Sequence, residues 1–109
     1  MNTIKGLVYE AHNNSVKHGW WDGDNRNIPE KIALIHSEAS EALEDYRNGD
    51  MRLEVDQNGK PVGFPSELAD IVIRVADLCG YLEIDLEEAI KMKHQYNLSR
   101  PYRHGGKKA

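Results

Sequence analysis

Cysteine occurs once in the 109 residues, at Cys79, so no disulfide can form within the chain, and a reducing, cytoplasmic setting is the expectation. Long apolar runs are missing too. Nothing approaches the roughly 18 residues that a membrane-spanning helix requires, so no membrane partner is expected. The stretch from Met1 to Lys17 is polar and mixed, without the basic start, apolar middle and small-residue cleavage site of a signal peptide. Basic residues are in the minority, 14 Lys and Arg against 18 Asp and Glu, so global charge gives no reason to expect a nucleic-acid partner. There is no internal repeat, no Ser-His-Asp arrangement and no glycine motif of the kind that cradles phosphate.

What is present fits one domain with a modest core, for which association into oligomers would add stability. Apolar periodicity near 100° per residue predicts four helices. The first spans about Thr3 to Lys17, with Ile4, Leu7, Val8 and Ala11 on one face. A loop of turn formers follows, and Pro29 suits the first turn of a second helix that stops at Gly49. Ile32, Ile35, Ala39, Ala42, Leu43 and Tyr46 form its apolar face. From Met51 to Phe64 the pattern breaks, and Asn58-Gly59 signals a tight turn, so a small hairpin or flap is expected there. Ser66 is a candidate cap for a third, strongly apolar helix ending near Leu82. Asp85 with Glu88 resembles a capping box opening a fourth helix, which Pro101 limits to about Arg100. The expected fold is therefore an all-α four-helix bundle with a short hairpin between the second and third helices.

The second helix carries Glu38 and Glu41 beside its apolar stripe, and the third carries Glu67 and Asp70 in the same relation. Residues three apart lie about one turn apart on one side of a helix, so packing the two helices lets the four carboxylates face one another. Convergent carboxylates repel and would raise one another's pKa unless a cation intervenes. An all-oxygen donor set suits magnesium, with manganese as substitute. Neither pair is followed by the histidine that helical di-iron sites add. Acidic residues on helix flanks are ordinarily solvated surface, but these pairs border the core stripes instead of opposing them.

The fourth helix departs from amphipathic form. Leu86, Ala89 and Ile90 define an inward face, and helical pitch continues that face through Lys93, Asn97 and Arg100. Such groups pair with the carboxylates, grip phosphate oxygens, or sit on a helix end that leaves the core.

Glu38-x-x-Glu41 followed on the next helix by Glu67-x-x-Asp70 resembles the signature of MazG-like nucleotide pyrophosphohydrolases, the all-α nucleoside triphosphate pyrophosphatase superfamily that includes the dimeric dUTPases. The stretch from Lys93 through Arg100-Pro101 to His104-Gly105-Gly106-Lys107 is similar to the end of a short member. The resemblance implies a homodimer or homotetramer in which Glu38, Glu41, Glu67 and Asp70 bind magnesium and serve catalysis. It implies cleavage of nucleoside triphosphates to monophosphate and pyrophosphate, in a house-cleaning role. Many relatives have Glu-Glu-x-x-Glu where this chain has Ser37 at the first position, so the general base is not carried over, and Glu41 is the preferred candidate. Lys93 and Arg100 are the expected phosphate ligands, with Asn97 orienting a phosphate or a sugar hydroxyl. Trp20 and Trp21 are candidates to stack on a base or to plug the bundle end, and Asn14 and His18 to read a base edge or to bond locally. Arg103, His104, Lys107 and Lys108 form a basic tail that either folds over the triphosphate or stays solvated. The rivals are a base-specific dUTPase-type enzyme and a non-catalytic, metal-stabilised interaction module.

Overall fold

The helix with the most apolar sequence organises the chain. In a computed structural model describing residues 1–23 and 27–102, α1 (Ile4–Lys17) and α2 (Ile28–Arg47) both pack on α3 (Phe64–Leu82). A two-stranded antiparallel hairpin, β1 (Glu54–Val55) and β2 (Pro61–Val62), lies between α2 and α3, with Glu54 opposite Val62. The last element, α4 (Leu86–Ser99), leans on α1. The chain is thus all-α apart from the hairpin, and no helix among the described residues is long and apolar enough to cross a membrane.

Caps fix most helix starts where polar residues precede the apolar period. Thr3 accepts from the Gly6 amide at 2.9 Å, Asn27 from Glu30 at 3.1 Å and Asp85 from Glu88 at 3.0 Å. The start of α3 differs from the expected Ser66 cap. The helix begins three residues earlier, behind Gly63, whose φ of 102° and close approach to the Arg52 carbonyl exclude a side chain. Ser66 instead donates its hydroxyl to the Pro61 carbonyl at 3.1 Å, tying the first turn of α3 to the hairpin. The hairpin loop is organised by Asp56, whose carboxylate accepts from Asn58 and Lys60 amides at 2.8 and 3.0 Å.

The fourth helix also departs from expectation. It does not complete a closed bundle: it packs on α1, not to any extent on α2, and Lys5 meets its first turn through Asp85 and Glu87. Leu86 is half-buried, whereas Ala89, Ile90, Lys93 and Asn97 are exposed. The physical reason is the face itself: with Lys and Asn continuing it, too little apolar surface remains to hold the helix in the seam. Among the described residues the buried apolar side chains are Trp21, Ala42, Ala76 and Cys79. The radius of gyration is 16.5 Å, against about 13 Å for a compact chain of roughly this length. Leu43, Tyr46, Val72, Ile73, Met92 and Leu98 are left exposed.

Close contact of α1 with α3 depends on Gly80. A Cβ there would lie 2.5 Å from His12 Cβ and 3.3 Å from the Val8 carbonyl oxygen, so the helices would have to separate. We expect Gly80→Ala to destabilise the protein by about 1–3 kcal/mol despite alanine's better helix propensity, read as a lowered melting temperature. An unchanged or raised melting temperature would show that α1 does not pack this way.

Candidate metal centre

Packing of α2 on α3 sets their acidic flanks against each other. One carboxylate oxygen each from Glu38, Glu67 and Asp70 lies within 4.8 Å of the others. That spread matches two cation–oxygen bonds of roughly 2.0–2.6 Å each. Two unit charges at such a separation repel by about 3.5 kcal/mol at an effective dielectric near 20, more than a surface ion pair returns. A proton or a cation therefore relieves the cluster, of which Glu38 is buried, Glu67 half-buried and Asp70 exposed.

In the absence of a cation the proton is taken by Glu67. Burial, then the neighbouring charges of Glu41 and Asp70 and a hydrogen bond with Glu41, push its carboxyl from 4.5 up to about 7. Asp70 is also pushed up, by desolvation and by Glu38, with Arg74 and Lys60 pulling the other way. Glu41 thus stands against Glu67 at the edge of the trio.

Glu38 is the buried member, 9% exposed. Its Oε1 accepts from Arg74 Nε at 2.9 Å. Its Oε2 is buried with no protein partner. An unsatisfied buried acceptor costs about 1–3 kcal/mol, more when charged, so this oxygen, on a residue that converges with two other carboxylates, asks for a cation. The donor chemistry fits a hard one, since all three groups offer oxygen and no histidine or cysteine belongs to the set.

A cavity of about 210 Å³ opens beside the trio, lined by Asn14, Ser15, Trp20, Glu38, Asp70 and Arg74 among others. The two tryptophans, equivalent in sequence, part company here. Trp21 is 7% exposed, stacks on Tyr81 at 4.0 Å between centroids and donates its indole N–H to Asp77 at 2.9 Å. It belongs to the core. Trp20 is 45% exposed, with the Arg74 guanidinium 4.9 Å from its ring centroid. Of the two residues on α1 considered for base contacts, Asn14 lines the cavity, while His18 bonds through Nδ1 to the Asn14 carbonyl at 2.7 Å.

Lys93, Asn97 and Arg100 are not brought to the carboxylates within the protomer. No ion pair joins them among the described residues, and Lys93 and Arg100 flank the Tyr96 ring at 5.6 and 5.7 Å. Arg103, His104, Lys107 and Lys108 lie outside the described residues. Arg74 and Asp77 lie on the same flank of the third helix as Asp70, and sequence reasoning gave them no task. It passed over His12, whose Nδ1 meets Asp77 at 2.9 Å. A charge such as Arg74 one turn beyond Asp70 was the available signal. Comparisons with known protein families, with curated proteins and with solved structures gave no match.

Because Glu67 takes up a proton on folding, the metal-free protein holds the extra proton between pH 4.5 and 7. Its contribution to stability therefore falls as pH rises through that window and levels off above it. We expect the melting temperature of Glu67→Gln, relative to wild type, to climb across the window without metal, and stabilisation of wild type by magnesium to be larger at pH 8 than at pH 5.5. Parallel pH profiles for the two proteins would rule out this titration.

Proposed function

We propose that this protein is a magnesium-dependent nucleoside triphosphate pyrophosphohydrolase, converting a nucleoside triphosphate and water into a monophosphate and pyrophosphate. The observation that carries the reading is the convergence of Glu38, Glu67 and Asp70 beside a cavity with an accessible indole at its wall. The MazG-like spacing of the two acidic motifs supports the same reading, as does the all-α fold.

Glu38, Glu67 and Asp70 would hold magnesium, with Glu41 at their edge as a further ligand or as the base. Magnesium when bound supplies charge neutralisation for the triphosphate and lowers the pKa of a water molecule. In the proposed hydrolysis a water would attack the α phosphorus as the bond to the bridging oxygen breaks, and that oxygen would leave with pyrophosphate. Glu41, beside Glu67, would accept the proton. Trp20 offers its face to the base, with Asn14 across the cavity for polar contacts. Lys93, Asn97 and Arg100 serve phosphate in this reading only within an assembly, since α4 packs away from the protomer's own carboxylates. The exposed Leu43, Tyr46, Ile73 and Met92 favour such a homodimer or homotetramer.

A panel of ribo- and deoxyribonucleoside triphosphates with magnesium is expected to yield monophosphate and pyrophosphate, with no diphosphate. Glu38→Ala and Asp70→Ala should each lose more than about a hundredfold in turnover while keeping their helical circular dichroism. Either variant retaining near-full activity would defeat the mechanism, and magnesium-dependent stabilisation without product would leave a non-catalytic module. Sedimentation of the full chain should give the mass of two or four protomers, and a monomer at micromolar concentration would exclude a role for α4 at the site.

A further inference from the structure

Arg74 stands between the two halves of the proposed site. Its Nε donates to Glu38 Oε1 at 2.9 Å, and its guanidinium lies over the Trp20 ring at 4.9 Å. Trp20 is held in turn from its backbone, where Lys31 Nζ donates to the carbonyl at 3.0 Å. A cation beside a metal ligand admits two opposite roles. It can be a counter-charge that occupies the place of the metal, or a clamp that orients the ligand toward it. The hydrogen-bond pattern separates them. A counter-ion arginine gains most from the bidentate fork that satisfies both carboxylate oxygens. Here one oxygen is bonded, and the other, Oε2, remains buried without a protein partner. The indole is a second partner that competes for the guanidinium, whose central carbon lies 4.9 Å from the Trp20 ring centroid.

We infer that Arg74 is a positioning residue, which fixes Glu38 by one oxygen so that the other is presented to a divalent cation, and which links that presentation to the side chain of Trp20. This rests on the trio being a cation site and extends it: Glu38 is a ligand of defined orientation, and the aromatic wall of the cavity and the cation site share one support. Loss of a support of this kind typically weakens metal binding about 10- to 100-fold, because a carboxylate left to rotate loses its aim.

The test is binding of manganese to the full chain without nucleotide, followed by the loss of the free-ion paramagnetic signal. Wild type should bind, and Glu38→Gln should not. Arg74→Gln should weaken binding by about 10- to 100-fold with helical content unchanged. Arg74→Lys, which keeps the charge without the fork, should fall between the two. Trp20→Ala, which removes the stack and leaves the hydrogen bond, should weaken binding by about two- to fivefold. Unchanged or tighter binding in Arg74→Gln would overturn the inference, because a competing counter-charge gives that result. If Arg74→Gln loses its helical signal, Arg74→Lys decides: wild-type affinity there means that charge alone suffices and overturns it equally. Manganese binding that responds to Arg74 in a protein that releases no pyrophosphate would remove the proposed activity and leave this inference standing. Absence of binding in wild type would remove the cation site and the inference with it.

Discussion

Acidic side chains of like charge meet along the seam between α2 and α3, and the seam closes only if something offsets their repulsion. The apolar packing of the two helices is strong enough to bring Glu38, Glu67 and Asp70 within 4.8 Å, yet it leaves them unneutralised. The fold then responds in two ways. Arg74 takes one oxygen of Glu38, and Glu67 retains a proton up to about pH 7. Each is a partial answer, since Glu38 Oε2 is still without a partner. A seam that stores repulsion in this way is poorly explained as scaffolding, where apolar residues of equal volume would pack without the cost.

The rest of the architecture keeps the seam accessible. Because α4 packs on α1 and not across α2, the acidic flank of α3 is not roofed over by the protomer's own last helix. The same openness leaves apolar side chains such as Leu43, Val72 and Leu98 exposed, and few residues fully buried. The chain is thus extended, with a thin core, exposed hydrophobic side chains and a charged seam.

How much of this was legible in the sequence follows from what helical pitch can and cannot encode. Glu38, Glu67 and Asp70 were readable because pitch fixes which residues share a flank, and the apolar stripes fix which flank turns inward. The capping of α1, α2 and α4 was readable in Thr3, Asn27 and Asp85 for the same local reason, although only the last was named as a cap in advance. The start of α3 was misread because Gly63 caps through its backbone, leaving no polar side chain as a sign, while Ser66 offered a false one. The course of α4 was misread because pitch predicts a face and says nothing about which neighbour that face meets. Trp20 and Trp21 were inseparable in sequence; what separates them is tertiary, a Tyr81 ring under one and open space beside the other.

That separation explains how a loop residue can serve a site at all. Asp77 Oδ1 accepts from both His12 Nδ1 and Trp21 Nε1, each at 2.9 Å, so one carboxylate of α3 ties α1 and the following loop to itself. Trp21, stacked on Tyr81, is thereby fixed on two sides, and its neighbour in the chain inherits the anchoring. Trp20 would otherwise be one exposed aromatic on a polar loop, with too many rotamers to present a face to anything. Anchored behind by Trp21 and held in front by Arg74, it presents one surface at the cavity wall. Asp77 and Arg74 lie three apart on one flank of α3, so a single helix turn holds the Trp21 indole from one side and the Glu38 carboxylate from the other. Accurate placement of an aromatic wall relative to the acidic trio follows from that shared origin, without requiring the loop itself to be rigid.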